Sequence, residues 1–175
     1  SVTATNAALV DTISAAADFR VLTYRDPQSL TTDPSTEFAE SIHTWEVDFS
    51  NTDDDIASIT ADYDFGSETA SFNEVSSGDV TVEFEQNGSL TTLTLAADSY
   101  SGATATFDIT DNDTTCEGRA KITIGTAENG LENPGSGTYE PLLTFENSSG
   151  GKIGWEGELP IQANNAGAIN IEKPT

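Results

Sequence analysis

From Trp45 onward apolar residues fall on alternate positions: Trp45/Val47/Phe49, Ile59/Ala61/Tyr63/Phe65, Val80/Val82/Phe84, Leu93/Leu95, Ala105/Phe107/Ile109, Ala120/Ile122/Ile124, Tyr139/Pro141/Leu143/Phe145, Ile153/Trp155, Leu159/Ile161 and Ile169/Ile171. The residues between them, such as Thr81, Glu83, Glu85, Lys121 and Thr123, are polar. A period of two with one wet face is the pattern of half-buried antiparallel strands. Turn-forming clusters separate the segments at Gly66-Ser67, Ser76-Ser77-Gly78, Asn87-Gly88, Ser99 to Gly102, Gly125 to Gly137, Ser148 to Gly151 and Asn164 to Gly167. Such signals every ~8–12 residues mark a sandwich or barrel. The chain is therefore expected to be all-β, an antiparallel β-sandwich or jelly-roll of about nine or ten strands. Asn87-Gly88 is the clearest two-residue hairpin, because both turn positions need positive φ.

The first 44 residues read differently, as an N-terminal appendage (1–44) on a sandwich domain (45–175). Asn6 can cap a helix with the stripe Leu9, Val10, Ile13 and Ala17, ending near Arg20. Asp33-Pro34 can start a short second helix carrying Phe38 and Ile42, with Val21 to Tyr24 strand-like between the two. Alternatively Thr3 to Val10, including Ala8 and Leu9, lies extended as an assembly arm added to a neighbour's sheet.

Charge narrows the function. The 175 residues hold 30 Asp+Glu against 6 Lys+Arg, a formal net charge of −24. Phosphate backbones and anionic headgroups repel such a surface, so nucleic acid and membrane-surface partners are excluded. No apolar run approaches the ~18 residues that a membrane helix needs. The acids are dispersed, and a dispersed acidic surface with almost no Lys resembles the proteins of extreme halophiles, haloarchaea in particular. Molar salt shortens the Debye length to about 3 Å and so screens the self-repulsion. A chain that opens on Ser1 is expected to have lost either an initiator Met or a signal peptide.

Candidate chemistry is sparse. His43, the one histidine, lies in Ser41-Ile-His-Thr-Trp45 with no nucleophile elbow in the chain, and reads as a partly exposed structural residue. Cys116, the one cysteine, reads as a small buried or half-buried residue, with an intermolecular disulfide as the second possibility. Asp53 and Asp55, and Asp111 and Asp113, are candidate Ca²⁺ ligands in acidic turns, although neither pair continues into EF-hand spacing. Sequons at Asn87, Asn112 and Asn147 are candidate glycosylation sites in predicted turns. Gly135-Ser136-Gly137 has neither a following helix nor a Lys, so it is not a phosphate loop, and no cofactor is implied.

Ala120 to Ile124, Leu131-Glu-Asn-Pro-Gly-Ser-Gly-Thr-Tyr139 and Leu142 to Phe145 together resemble the end of secreted surface β-sandwich domains with an Asn-Pro…Gly-Thr-Tyr loop. The resemblance implies a non-catalytic module of an extracellular surface or appendage. The leading expectation is thus a non-enzymatic structural subunit of a halophile, filament or surface-layer in type, whose partners are copies of itself or other surface subunits. A capsid or tail protein of a haloarchaeal virus, located in the virion, is the alternative. A carbohydrate-binding module presenting Trp155 and Trp45 to glycans is a third possibility, and a hydrolase built on His43 or a buried carboxylate pair a fourth.

Overall fold

The computed structural model describes residues 24–51, 56–72, 75–111 and 114–164. In chain order the strands are β1 (Tyr24–Arg25), β2 (Ser29–Asp33), β3 (Glu40–Asn51), β4 (Ile56–Asp62), β5 (Asp64–Phe65), β6 (Glu68–Thr69), β7 (Val80–Gln86) and β8 (Ser89–Leu93). They continue as β9 (Leu95–Ser101), β10 (Thr104–Ile109), β11 (Cys116–Ile124), β12 (Leu131–Glu132), β13 (Gly137–Tyr139), β14 (Leu142–Asn147), β15 (Lys152–Glu156) and β16 (Leu159–Ile161). One sheet has the order β1-β15-β14-β4-β10-β9, antiparallel except for β1 on β15. The second has the order β12-β3-β11-β7-β8, with β2 also paired to β3. Two-stranded pairs, β13-β16 and β5-β6, complete the pairing.

The alternating residues build the core. Trp45, Val47, Phe49, Val82, Phe84, Ala120 and Ile122 of the second sheet are buried, as are Ile59, Ala61, Ala105, Phe107, Leu143, Phe145 and Trp155 of the first. Rings meet across the layers: Phe49 packs edge-on to Phe145 at 5.0 Å and to Trp155 at 6.0 Å, and Phe84 lies 5.7 Å from Phe145. The result is sandwich-like, two sheets joined by apolar faces. Each aromatic pair adds about 0.5–1.5 kcal/mol beyond its buried area. The Trp45 indole N–H donates to the Tyr63 hydroxyl at 2.9 Å, which satisfies both polar groups inside the core. Asn87 (φ 52) and Gly88 (φ 73) form the β7–β8 turn, with Gln86 opposite Ser89.

The second expected helix does not form, and the described residues contain only one 3₁₀ turn, Ser77–Asp79, and no α-helix. Asp33 ends β2, and Ile42 lies opposite it within the β2–β3 hairpin. The capping signal at Asp33-Pro34 was local. Burial of Ser41, His43, Trp45, Val47 and Phe49 along one face of β3 outweighs it, because a period of two extends back through Ser41. β3 thus runs without a break across positions 44 and 45, and residues 24–44 contribute strands to both sheets. The first expected helix, the arm from Thr3 to Val10, and Ile169 and Ile171 lie outside the described residues. No helix among those described is long and apolar enough to cross a membrane.

The turn after β15 fits closely under the core. A Cβ on Gly157 would lie 2.7 Å from Leu30 Cδ2 and 2.8 Å from Trp45 Cη2. Gly157→Ala is expected to destabilise the fold by about 1–3 kcal/mol through overpacking, measured by denaturant unfolding in molar KCl. Gly66→Ala, with nothing within 4 Å but φ +83, separates backbone strain from packing.

Candidate functional site

Of the four polar residues buried among those described, Thr114 accepts from Ile56 N at 2.8 Å, and the other three converge on one place, where the turn between β2 and β3 (residues 34–39) meets the loop after β12. Asn133, Ser41 and His43 are each at most 1% exposed. The Asn133 amide nitrogen has three acceptors within reach of its two hydrogens: Pro34 O (3.0 Å), Thr36 O (2.9 Å) and Ser41 Oγ (2.8 Å). These acceptors fix the amide orientation, so Asn133 Oδ1 faces His43 and accepts from Nε2 at 2.9 Å. Thr32 Oγ1 lies 3.2 Å from the same nitrogen. The backbone closes the unit: Asn133 N donates to Ala39 O, and Phe38 N donates to Asn133 O. Gly130 packs against the start of β3, where a Cβ would lie 2.5 Å from Ser41 N.

His43 is therefore buried rather than partly exposed. Its Nε2 is protonated by the hydrogen-bond logic, and Nδ1 is buried without a hydrogen-bond partner. Burial lowers its pKa from 6.5 to about 4, against a smaller opposing effect of the Asn133 hydrogen bond. The ring packs edge-on to Tyr63 at 5.2 Å. Ser41 Oγ donates to Pro34 O at 2.5 Å, so its contact with the imidazole runs through Asn133. The cluster's visible work is to hold a strap in place.

That strap carries an unusual residue. Phe38 has φ 55, the left-handed region that bulky side chains rarely enter, and is 67% exposed. The neighbouring Glu37 carboxylate accepts from Ser136 N (3.1 Å) and Asn164 N (3.0 Å), and these backbone donors, Asn164 first, lower its pKa. A Cβ placed on Gly135 would lie 3.8 Å from Phe38 Cζ and 3.1 Å from Glu68 Oε2. Beside them Tyr139 stacks on Phe65 at 4.7 Å and donates to Gly135 O at 2.7 Å. The result is a rigid surface of aromatic side chains rimmed by carboxylates.

The other candidate residues are dispersed. Asp53, Asp55, Asn112 and Asp113 lie outside the described residues. Asp111 accepts from Thr94 N and closes the corner where β8 passes into β9. Among the described residues no three His, Cys, Asp or Glu side chains converge as metal ligands. Cys116 is buried, its Sγ donates to Arg119 O at 3.1 Å, and burial pushes the thiol pKa up; a disulfide to another chain would require that strand end to open. Asn87 is exposed at the hairpin tip, whereas Asn147 is half-buried and accepts from Gly151 N through its side chain. Trp45 and Trp155 are 0% and 1% exposed and offer no face to a sugar. The sequence placed Asn133-Pro134 in the turn-forming stretch from Gly125 to Gly137; the side chain's role as a hub, and the place of Phe38 beside it, carried no separate signal.

No family model matches the chain, and no curated protein matches it. Among solved structures it is similar to an uncharacterised protein from Nocardia farcinica described as having an immunoglobulin-like fold, at 14% identity over 83% of this chain and 89% of that one, with a TM-score of 0.38. A DUF4466 family protein from Parabacteroides merdae aligns at 11% identity over 77% of this chain and 45% of its own, with a TM-score of 0.44. Neither bears on the hub or the strap.

Because the folded state lowers the His43 pKa, its contribution to stability is complete above pH 6.5 and is lost as pH falls through about 4. The difference amounts to about 3 kcal/mol. His43→Gln should show that much less loss of unfolding free energy than the wild type between pH 7 and 4, both measured in molar KCl. The carboxylates titrate in both proteins and cancel in the comparison. Parallel pH profiles would contradict the placement of a neutral imidazole in the hub.

Proposed function

We propose that the chain is a non-enzymatic structural subunit of a halophile, of the cell-surface filament or surface-layer kind, which assembles outside the cell with copies of itself or with other surface subunits. Phe38 carries this reading. Holding a bulky residue in the left-handed region costs about 1–2 kcal/mol, and a ring mostly in water returns little of it to the isolated chain. Here the ring is fixed outward by a buried network that spans the β2–β3 turn and the Asn133 loop. Strain kept at an exposed aromatic is accounted for by a contact that the subunit makes with a partner.

The two facing sheets fit the sandwich or jelly-roll plan of surface domains, and the polar, carboxylate-rich outward positions suit an environment of high salt. The strap that carries Phe38 is bonded to the Asn-Pro…Gly-Thr-Tyr region that resembles secreted surface domains, which favours the cell surface over the virion.

Phe38→Asn tests the proposal, because Asn tolerates positive φ and removes the ring. The variant should fold with unchanged stability or gain about 0.5–1 kcal/mol, yet lose assembly of the full chain in molar KCl as seen by sedimentation velocity and electron microscopy. Assembly equal to that of the wild type would overturn the role of Phe38.

A further inference from the structure

Resting on that reading of the chain as an assembly subunit, the geometry points to the edge strand β8 as the surface on which two copies join. We propose that Ser89–Leu93 of one copy pairs antiparallel with Ser89–Leu93 of a second, continuing the β12-β3-β11-β7-β8 sheet from one molecule into the next.

A free strand edge exposes unpaired N–H and C=O groups, and soluble proteins defend such edges with short strands, charges, prolines or bulges. The other edges here are defended in those ways. β1 and β12 are two residues long. β2 lies between Pro27 and Pro34 and ends on Asp33. β9 carries Asp98 and pairs with β10 through a register shift at Asp108/Ile109. β8 has five residues, Ser-Leu-Thr-Thr-Leu, with no charge and no proline, in regular register with β7. Ser89, Thr91 and Thr92 are exposed.

The charge pattern selects the occupant. In a chain that is 21% charged, about four charges would be expected in the 21 residues from Asn87 to Phe107; Asp98 is the one present. Its carboxylate is engaged internally, accepting from Ser77 N at 2.5 Å and from the Tyr100 hydroxyl at 3.2 Å. Tyr100, 41% exposed, stands on β9, the strand that continues directly from β8. A second copy carrying −24 is repelled by the rest of this surface but meets no charged side chain on β8 itself, the carboxylates at its two ends, Glu117 and Asp111, being held by backbone hydrogen bonds from Gly88 N and Thr94 N, and a twofold pairing brings the two uncharged strands together. A basic partner would gain nothing from a charge-free edge and would be drawn to the acidic faces instead.

Two variants of the full chain test this. Thr91 lies opposite core-facing Phe84, so Thr91→Lys places an inward-pointing charge on the edge, the device that natural edges use against pairing. It also lowers the net negative charge, so general repulsion predicts more association while the edge contact predicts less. The expected result in molar KCl is loss of the β8 contact, with the dissociation constant raised at least tenfold, while Thr138→Lys on β13 behaves as wild type. Thr91→Cys should give a covalent dimer under mild oxidation, and Thr138→Cys should not.

Wild-type self-association left intact by Thr91→Lys would overturn the edge contact while the assembly reading, tested through Phe38, stands. Disruption by Thr91→Lys without the Thr91→Cys cross-link would overturn the β8-to-β8 pairing in favour of another segment of the neighbour. A wild-type chain that stays monomeric at all salt and protein concentrations would overturn both proposals.

Discussion

Every feature of this molecule is constrained by the repulsion among 30 carboxylates that only six basic side chains oppose. Among the described residues two ion pairs, Lys121–Glu83 at 3.8 Å and Lys152–Glu146 at 2.9 Å, are partly exposed and contribute about 0–1 kcal/mol each. Local pairing therefore cannot neutralise the surface. The fold instead sends the acids to outward strand positions and turns and places a dense apolar layer between the sheets, where Phe49, Phe84, Phe145 and Trp155 meet. On the proposed reading, the repulsion that remains is screened by the solvent's ions.

Within that frame the buried polar groups are few and closely matched. Asn133 uses both ends of its amide to tie the 34–39 strap, Ser41 and His43 into one unit, and Trp45 and Tyr63 satisfy each other. A network of this kind is stabilising only when its members are paired, because an orphaned buried donor or acceptor costs about 1–3 kcal/mol. Two buried atoms among the described residues lack a partner, Arg119 Nε on β11 and Nδ1 of His43, and the latter links strap integrity to the neutral state of the ring. The hub makes the strap rigid, and rigidity lets Phe38 stand in a conformation it would not keep alone.

Much of the fold was legible in the sequence. The period-two runs around Trp45, Val82, Ile122 and Phe145 correspond to the buried faces of β3, β7, β11 and β14, and Asn87-Gly88 to a hairpin turn. What misled was the stretch around Asp33-Pro34, where a local start signal looked helical. Asp33 pairs with Ile42 only nine residues on, but the backbone of residues 35–39 bonds to Asn133 and Gln162, and no window of a dozen residues contains those partners. His43 appeared exposed for the same reason: the covering residues, Asn133 and Tyr63, are distant in sequence. The edge strand was visible as composition, an uncharged run, but its meaning depends on β8 being outermost among the described strands of its sheet.

The most direct test of the account is the unfolding free energy of the full chain as a function of KCl from 0.1 to 3 M. At ~0.1 M the Debye length is about 10 Å and neighbouring carboxylates repel; near 1 M it is about 3 Å and they scarcely do. Stability should rise steeply over that first interval, with the far-ultraviolet circular dichroism of a β-protein recovered as salt is added. A chain equally stable and equally folded at 0.1 M and 3 M KCl would contradict the claim that screened repulsion governs this fold.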